Sequence, residues 1–164
     1  MMVKIRLLQE GEERFLREML YEAIFIPAHD KPLPESVVDM PELAQYIVDF
    51  GRQGDICFVA EQKGVLVGAI WSRLFNQASK GYGFVDEQTP EISMAIKPPF
   101  RGQGTGTKLM ATILQALQQK GYQKLSLSVD MRNRAMNLYK KLGFEVVATV
   151  GNTYTMVKQI NQRR

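Results

Sequence analysis

The chain is poor in the residues that carry most metal and covalent chemistry. Cys57 is its single cysteine and His29 its single histidine. One thiol closes no internal disulfide and builds no cysteine cluster around a metal. One imidazole excludes a histidine-rich metal site and argues against a Ser-His-Asp triad. Cys57 stands in the apolar run Ile56-Cys57-Phe58-Val59-Ala60, which reads as a buried structural thiol rather than a nucleophile. Long apolar runs are missing as well. None approaches membrane-spanning length, and the polar N-terminus does not read as a signal peptide. The expectation is a cytoplasmic protein with no metal and no membrane partner. Internal repeats and low-complexity segments are also missing.

What is there is ordinary for a folded domain. A length of 164 residues suffices for one domain with a sizeable core, and no boundary interrupts residues 1–164. The apolar share of 45% and charged share of 23% fit a globular protein. The net charge is +4 and the pI about 9.2. Apart from a terminal pair, Arg163-Arg164, the basic residues are scattered, so nucleic acid is not the expected partner. A homodimer is left open.

Periodicity gives the order of elements. Val3, Ile5 and Leu7 alternate as a strand, and Phe15, Leu16, Met19, Leu20, Ala23 and Ile24 repeat at helical spacing up to Pro27. A second helix is predicted from Asp39 or Met40, with Pro41 in its first turn, Leu43, Ile47 and Phe50 buried, and Gly51 at its end. Ile56 to Glu61 and Val65 to Trp71 flank Lys63-Gly64 as a hairpin. Residues 74–90 read as a loop. Ile92, Met94 and Ile96 alternate as another strand. Leu109, Met110, Ile113, Leu114 and Leu117 then make one apolar helical stripe closed by Gly121. Leu125, Leu127 and Val129 form a further strand. A short helix over 133–142 ends at Gly143. The strands at Val146–Val150 and Tyr154–Lys158 turn at Gly151-Asn152. Residues 159–164 are expected to fray.

The most informative stretch is Glu91 to Lys108, EISMAIKPPFRGQGTGTK. A strand, a glycine-rich turn and a helix start gather backbone N–H groups that have no intrahelical partner, at the positive end of the helix dipole. Such a patch suits phosphate, and glycines let the anion approach the backbone. Counting excludes two familiar patterns. Gly106 is followed by Thr107-Lys108, the wrong order for a Walker A loop. In G-x-G-x-x-G the third glycine would fall on Thr107 or Leu109. What fits is R-x-x-G-x-G, from Arg101 to Gly106.

That hexapeptide resembles the acyl-CoA pyrophosphate loop of the GNAT superfamily of N-acetyltransferases. Downstream, Asn133, Ala135, Tyr139, Gly143 and Phe144 resemble the pattern N-x-x-A-x-x-x-Y-x-x-x-G-F, with one residue fewer between Asn133 and Ala135. Both signatures open helices after strands, and the element order from Val3 to Lys158 is similar to that fold. The chain is identified as a member of the superfamily. The resemblance implies a mixed α/β fold, with a central, mostly antiparallel twisted sheet, a splayed parallel pair and flanking helices.

It also implies acetyl-CoA as donor, entering between the splayed strands. Met94, Ala95 and Ile96 would offer backbone groups to the pantetheine arm. Arg101, Gly102, Gln103, Gly104, Thr105, Gly106 and Thr107 would hold the pyrophosphate, and Asn133 and Tyr139 would complete the donor site. Transfer to an amine needs a base, stabilisation of the carbonyl oxygen and a proton for the thiolate. Glu91 is the candidate base, with Glu87 and Asp86 as alternatives. N–H groups near Met94 or Ala95 are candidates for the oxyanion, and Tyr139 is the candidate acid. Packing alone would also explain Tyr139, which sits on an apolar helix face. The amine acceptor is expected between residues 23–39 and 74–88, whose acids suit a cationic amine. A domain that binds acyl-CoA without turning it over is the alternative.

Overall fold

The computed structural model describes residues 2–161. Its strands are β1 (Lys4–Leu7), β2 (Ile56–Gln62), β3 (Val65–Arg73), β4 (Glu91–Ile96), β5 (Lys124–Asp130), β6 (Glu145–Val150) and β7 (Thr153–Gln159). They form one seven-stranded sheet in the order β1-β2-β3-β4-β5-β7-β6. Every neighbouring pair is antiparallel except β4 and β5. A parallel pair needs a crossover, and the helix α3 (Thr105–Gln119) supplies it.

The central strands are buried on both faces, while β6 at the edge is exposed at every position. Leu109, Met110, Ile113 and Leu117 of α3 are fully buried with Val67, Ile70, Ile92, Leu125, Leu127 and Met156. Each of the α3 side chains contributes roughly 1.5–3 kcal/mol by leaving water. On the other face, Phe15, Leu16, Met19 and Leu20 of α1 (Glu13–Ala23) pack with Val38, Tyr46, Val59, Ala69, Trp71 and Ala95. Strand alternation divides β4 between the two cores: Ile92 goes to the α3 side and Ala95 to the α1 side.

Three expectations are corrected. The second helix is only α2 (Pro41–Ala44), preceded by a 3₁₀ turn, Glu35–Asp39. Past Ala44 the chain goes over to turns: Tyr46 N–H donates to Leu43 O and Ile47 N–H to Ala44 O, each three residues back, and Asp49 stands at φ +51°. Gln45 O accepts from Arg73 Nη1 at 2.9 Å, and Tyr46 O from Trp71 Nε1 at 3.1 Å. Tyr46, rather than Leu43, Ile47 or Phe50, is its deeply buried residue. Second, α3 starts at Thr105, so Gly106 lies inside its first turn. Third, residues 159–161 are not frayed. Gln159 belongs to β7, Ile160 N–H donates to Gln123 O at 2.9 Å, and Asn161 Nδ2 donates to Tyr122 O at 2.6 Å. The rest of the expected tail, 162–164 with Arg163-Arg164, lies outside the described residues. Among those described, no helix is long and apolar enough to cross a membrane.

Candidate active site

β4 and β5 are joined by a single rung, Glu91 opposite Ser126, with Ser126 N–H donating to Pro90 O at 3.0 Å. From Ile92 onward β4 pairs only with β3, up to Ile96 opposite Gly68. The strands therefore splay, and the edge of β4 facing β5 keeps unpaired backbone groups at Met94 and the Ile96 N–H; Ala95, expected among them, turns its backbone to Ala69 on β3, and the Ile96 carbonyl is taken by Arg101. Such groups need a partner from outside the sheet.

The mouth of the splay is the glycine turn. A 3₁₀ turn at Pro98–Phe100 leads into it. Gly102 and Gly104 have φ of +76° and +83°, a region that only glycine enters without strain. A Cβ at either would meet nothing within 4 Å. Gly104 precedes α3, no side chain caps the helix, and no acid occupies its first turn. The N–H groups of Thr105, Gly106 and Thr107 thus begin the helix without intrahelical partners. Gly106 faces inward: its Cβ would sit 3.4 Å from Met94 and 3.7 Å from Leu138. Gln103 is exposed beside the turn. Open space above two glycines and an uncapped N-terminus fit a phosphate group. Arg101 departs from its expected place. Its Nε donates to Ile96 O at 2.8 Å, and its Nη2 lies 3.4 Å from Glu22, so it ties the turn to β4 and α1.

Asn133 and Tyr139 come from the second signature. Asn133 Oδ1 accepts the Ala135 N–H at 2.9 Å and so opens α4 (Ala135–Lys141). That oxygen is committed to the helix start, which leaves the amide NH2 as the group for a ligand. Tyr139 is buried on the α3 side of the sheet, edge-on to Phe144 at 5.8 Å. Burial pushes its phenol up to about 12, so it keeps its proton at neutral pH. The structure places Tyr139 in the core, with its hydroxyl protonated.

Glu91 lies at the closed end of the splay, on the opposite face from Tyr139, and is 3% exposed. Its Oε2 accepts from the Tyr46 hydroxyl at 2.5 Å, while Oε1 has no hydrogen-bond partner. Burial pushes this carboxyl up to about 7, against the pull of the Tyr46 hydroxyl. A base poised near neutral pH is what proton abstraction favours. The two alternatives are occupied elsewhere. Asp86 accepts from Thr89 and Gln88 in its own loop, and Glu87 accepts from Gln77 N–H.

Several contributors escape sequence reasoning. Gly81 and Gly83 have ordinary φ but no room: a Cβ at Gly81 would fall 2.2 Å from Glu91 Oε1, and one at Gly83 2.7 Å from the Leu127 backbone. Gly-Tyr-Gly in a loop is the one signal in the sequence for such close approach. Tyr82 stacks on Tyr46, with ring centroids 6.4 Å apart and 10° between planes. Trp71 is a core residue. Cys57 is buried and its thiol pushed up to about 12 by burial, an inert structural residue as expected.

With this geometry in view, comparison with known proteins settles the class. A family model described as the Acetyltransferase (GNAT) family matches residues 13–144, and the chain belongs to that family. Mycothiol acetyltransferase of Thermobispora bispora is 35% identical over 88 residues, covering 53% of this chain and 29% of that protein. N-alpha-acetyltransferase 50 of Danio rerio is 24% identical over 116 residues, covering 70% of this chain and 66% of its own length. The chain thus spans between 29% and 66% of these two curated relatives. Among solved structures, the PaiA N-acetyltransferase of Thermoplasma acidophilum, in complex with coenzyme A, superposes with a TM-score of 0.67 at 20% identity, covering 97% of this chain and 99% of that one.

Proposed function

We propose that this protein transfers an acetyl group from acetyl-CoA to a primary amine by direct attack within a ternary complex. One observation carries the reading: the sheet opens after the Glu91–Ser126 rung, and an uncapped helix start with two glycines in the left-handed region stands at the mouth. The first gives an acyl arm backbone partners along β4. The second gives a pyrophosphate N–H donors and room.

The residues divide the chemistry between the two faces. Glu91 accepts the proton that the acceptor's amine must lose for its nitrogen to attack. The Met94 N–H, on the β5-facing edge of β4, faces the carbonyl oxygen as charge builds on it. Tyr139 returns a proton to the departing sulfur from the α3 side. The Asn133 amide donates to the donor's arm. Coenzyme A in the PaiA complex supports the donor assignment, and the acetyltransferase names of the relatives support the reaction class.

The test is a panel of amines (spermidine, kanamycin, a lysine peptide and peptides with free N-termini), each incubated with acetyl-CoA while free thiol is followed. Acceptor-dependent thiol release is the expected outcome. Acetyl-CoA binding with no acceptor-dependent release across the panel would point to the binding module instead.

A further inference from the structure

Tyr46 carries no motif, yet its hydroxyl stands at a junction. It accepts the Tyr82 N–H at 2.7 Å and lies 2.5 Å from Glu91 Oε2. A backbone N–H can only donate, so the single phenolic proton is free to go to Glu91. The direction of the chain is thereby set: Tyr82 N–H to Tyr46, and Tyr46 O–H to Glu91.

The ring has no freedom to turn away. It is buried, Phe75 meets it edge-on at 5.0 Å, Tyr82 covers one face, and the Tyr46 carbonyl is held by Trp71. Glu91 is thus fixed at two points, its own strand and the Tyr46 hydroxyl. Its Oε1 is left without a partner, under Gly81. Across the only β4–β5 rung, Ser126 Oγ is also buried without a partner. Two orphaned polar atoms on adjacent strands at the apex of a splay imply that something polar enters there.

We propose that Tyr46 is a positioning residue for acetyl transfer: it holds Glu91 Oε2, so that Oε1 is the atom that takes the amine's proton. This rests on the reading of Glu91 as base. The neighbouring groups leave Tyr46 as the principal side-chain influence on that carboxyl. From β3, Arg73 is turned to Asp55; β5 contributes uncharged Ser126; the loop contributes Gly81, Tyr82 and Gly83. A donated hydrogen bond favours the ionised carboxylate, so its loss raises the proton affinity of Glu91.

The experiment is a ¹³C-carboxyl NMR titration of Glu91 in the intact protein, its resonance identified by its loss in Glu91→Gln. It is paired with pH profiles of kcat/KM for acetyl transfer to the fastest amine of the panel. Tyr46→Phe keeps the ring and removes the hydroxyl. The expected result is a Glu91 midpoint raised by about one pH unit or more, with the acidic limb moving the same way. Transfer at pH 7 falls ~5-fold or more while KM for acetyl-CoA holds. Should Tyr46→Phe not fold, 3-fluorotyrosine at position 46, a stronger donor of nearly the same shape, must move both midpoints down. An unmoved Glu91 midpoint in either variant overturns the role of Tyr46. So does an unmoved limb in a protein whose Glu91→Gln variant is inactive, and there the base reading survives. Full transfer by Glu91→Gln overturns the base reading and Tyr46's role together.

Discussion

Arg73 and Glu91 stand directly opposite each other on β3 and β4, yet they do not form an ion pair. Arg73 turns instead to Asp55, with Nη2 2.8 Å from Oδ2 and Nε 3.1 Å from Oδ1, both side chains almost fully buried. Its Nη1 donates to Gln45 O, and its guanidinium lies over Phe50 at 5.4 Å. Glu91 therefore has a cation within cross-strand reach that is spoken for, and its proton affinity stays high.

Asp55→Asn should release that cation. A buried guanidinium without its partner costs about 3–5 kcal/mol, and Glu91 is the carboxylate that stands opposite it across the strands. The variant is expected to lose thermal stability. Its Glu91 carboxyl should return toward the ordinary carboxylate range, moving the acidic limb of kcat/KM down by about one pH unit or more. A folded variant with the limb of the wild type would show that Arg73 does not reach Glu91.

Glu91 also has a cost for folding. Its carboxyl sits at about 7 in the folded protein, against an ordinary value of 4.5. The folded state holds that proton more tightly, so this residue's contribution to stability falls as pH rises from about 4.5 to 7. Glu91→Gln does not titrate. Urea unfolding should find the variant gaining on the wild type by up to ~3 kcal/mol between about pH 4 and about pH 8, since each pH unit separating the folded and unfolded midpoints is worth about 1.4 kcal/mol. Parallel pH curves for the two proteins would mean that Glu91 titrates as it does in the unfolded chain.

The phosphate assignment is tested at Gly104. With φ at +83° and open space above it, Gly104→Ala meets backbone strain of about 1 kcal/mol and projects a methyl from the glycine turn. CoA affinity measured by calorimetry is expected to fall at least ~10-fold. Affinity for pantetheine, which lacks the pyrophosphate, should change little. Equal losses for both would place the defect in the fold of the turn.

Most of the sheet is legible in the sequence because its strands obey period two and its turns carry glycine. The Lys63-Gly64 hairpin is an example, with both residues at positive φ. The glycine signature is legible because only backbone geometry has to be satisfied there. What stays hidden depends on contacts between distant segments. Nothing near Pro41 announces that the helix will give way to turns after Ala44, or that Arg73 and Trp71 will take the carbonyls at 45 and 46. Glu91 can be picked as an acid beside the right strand, but its partner Tyr46 lies 45 positions away and its roof, Gly81, looks like any loop glycine. Arg101 escapes for the complementary reason: the motif gives its place in the chain, while Glu22 and Ile96 O decide where its charge points.

Tyr139 separates packing from chemistry by a single atom. Tyr139→Phe keeps the edge-on contact with Phe144 and deletes the hydroxyl. Single-turnover acetyl transfer with saturating amine is expected to slow ~10²-fold, with acetyl-CoA affinity nearly unchanged, since a general acid acts in the transition state. Equal single-turnover rates would leave Tyr139 as a core residue and assign thiolate protonation to water.

The lone rung between Glu91 and Ser126 makes the sheet mechanically two plates. Strands β1 to β4 form one, through ladders such as the six registered pairs of β3 with β4; β5, β7 and β6 form the other, with seven pairs between β5 and β7. Between them runs a seam with one stitch, bridged on one face by α3. A molecule lying in that seam and bonding to the free edge of β4 would act as a weld, so occupancy would stiffen the whole domain. Backbone amides along the seam would then report its filling by slower hydrogen exchange on both plates, including residues that touch no ligand.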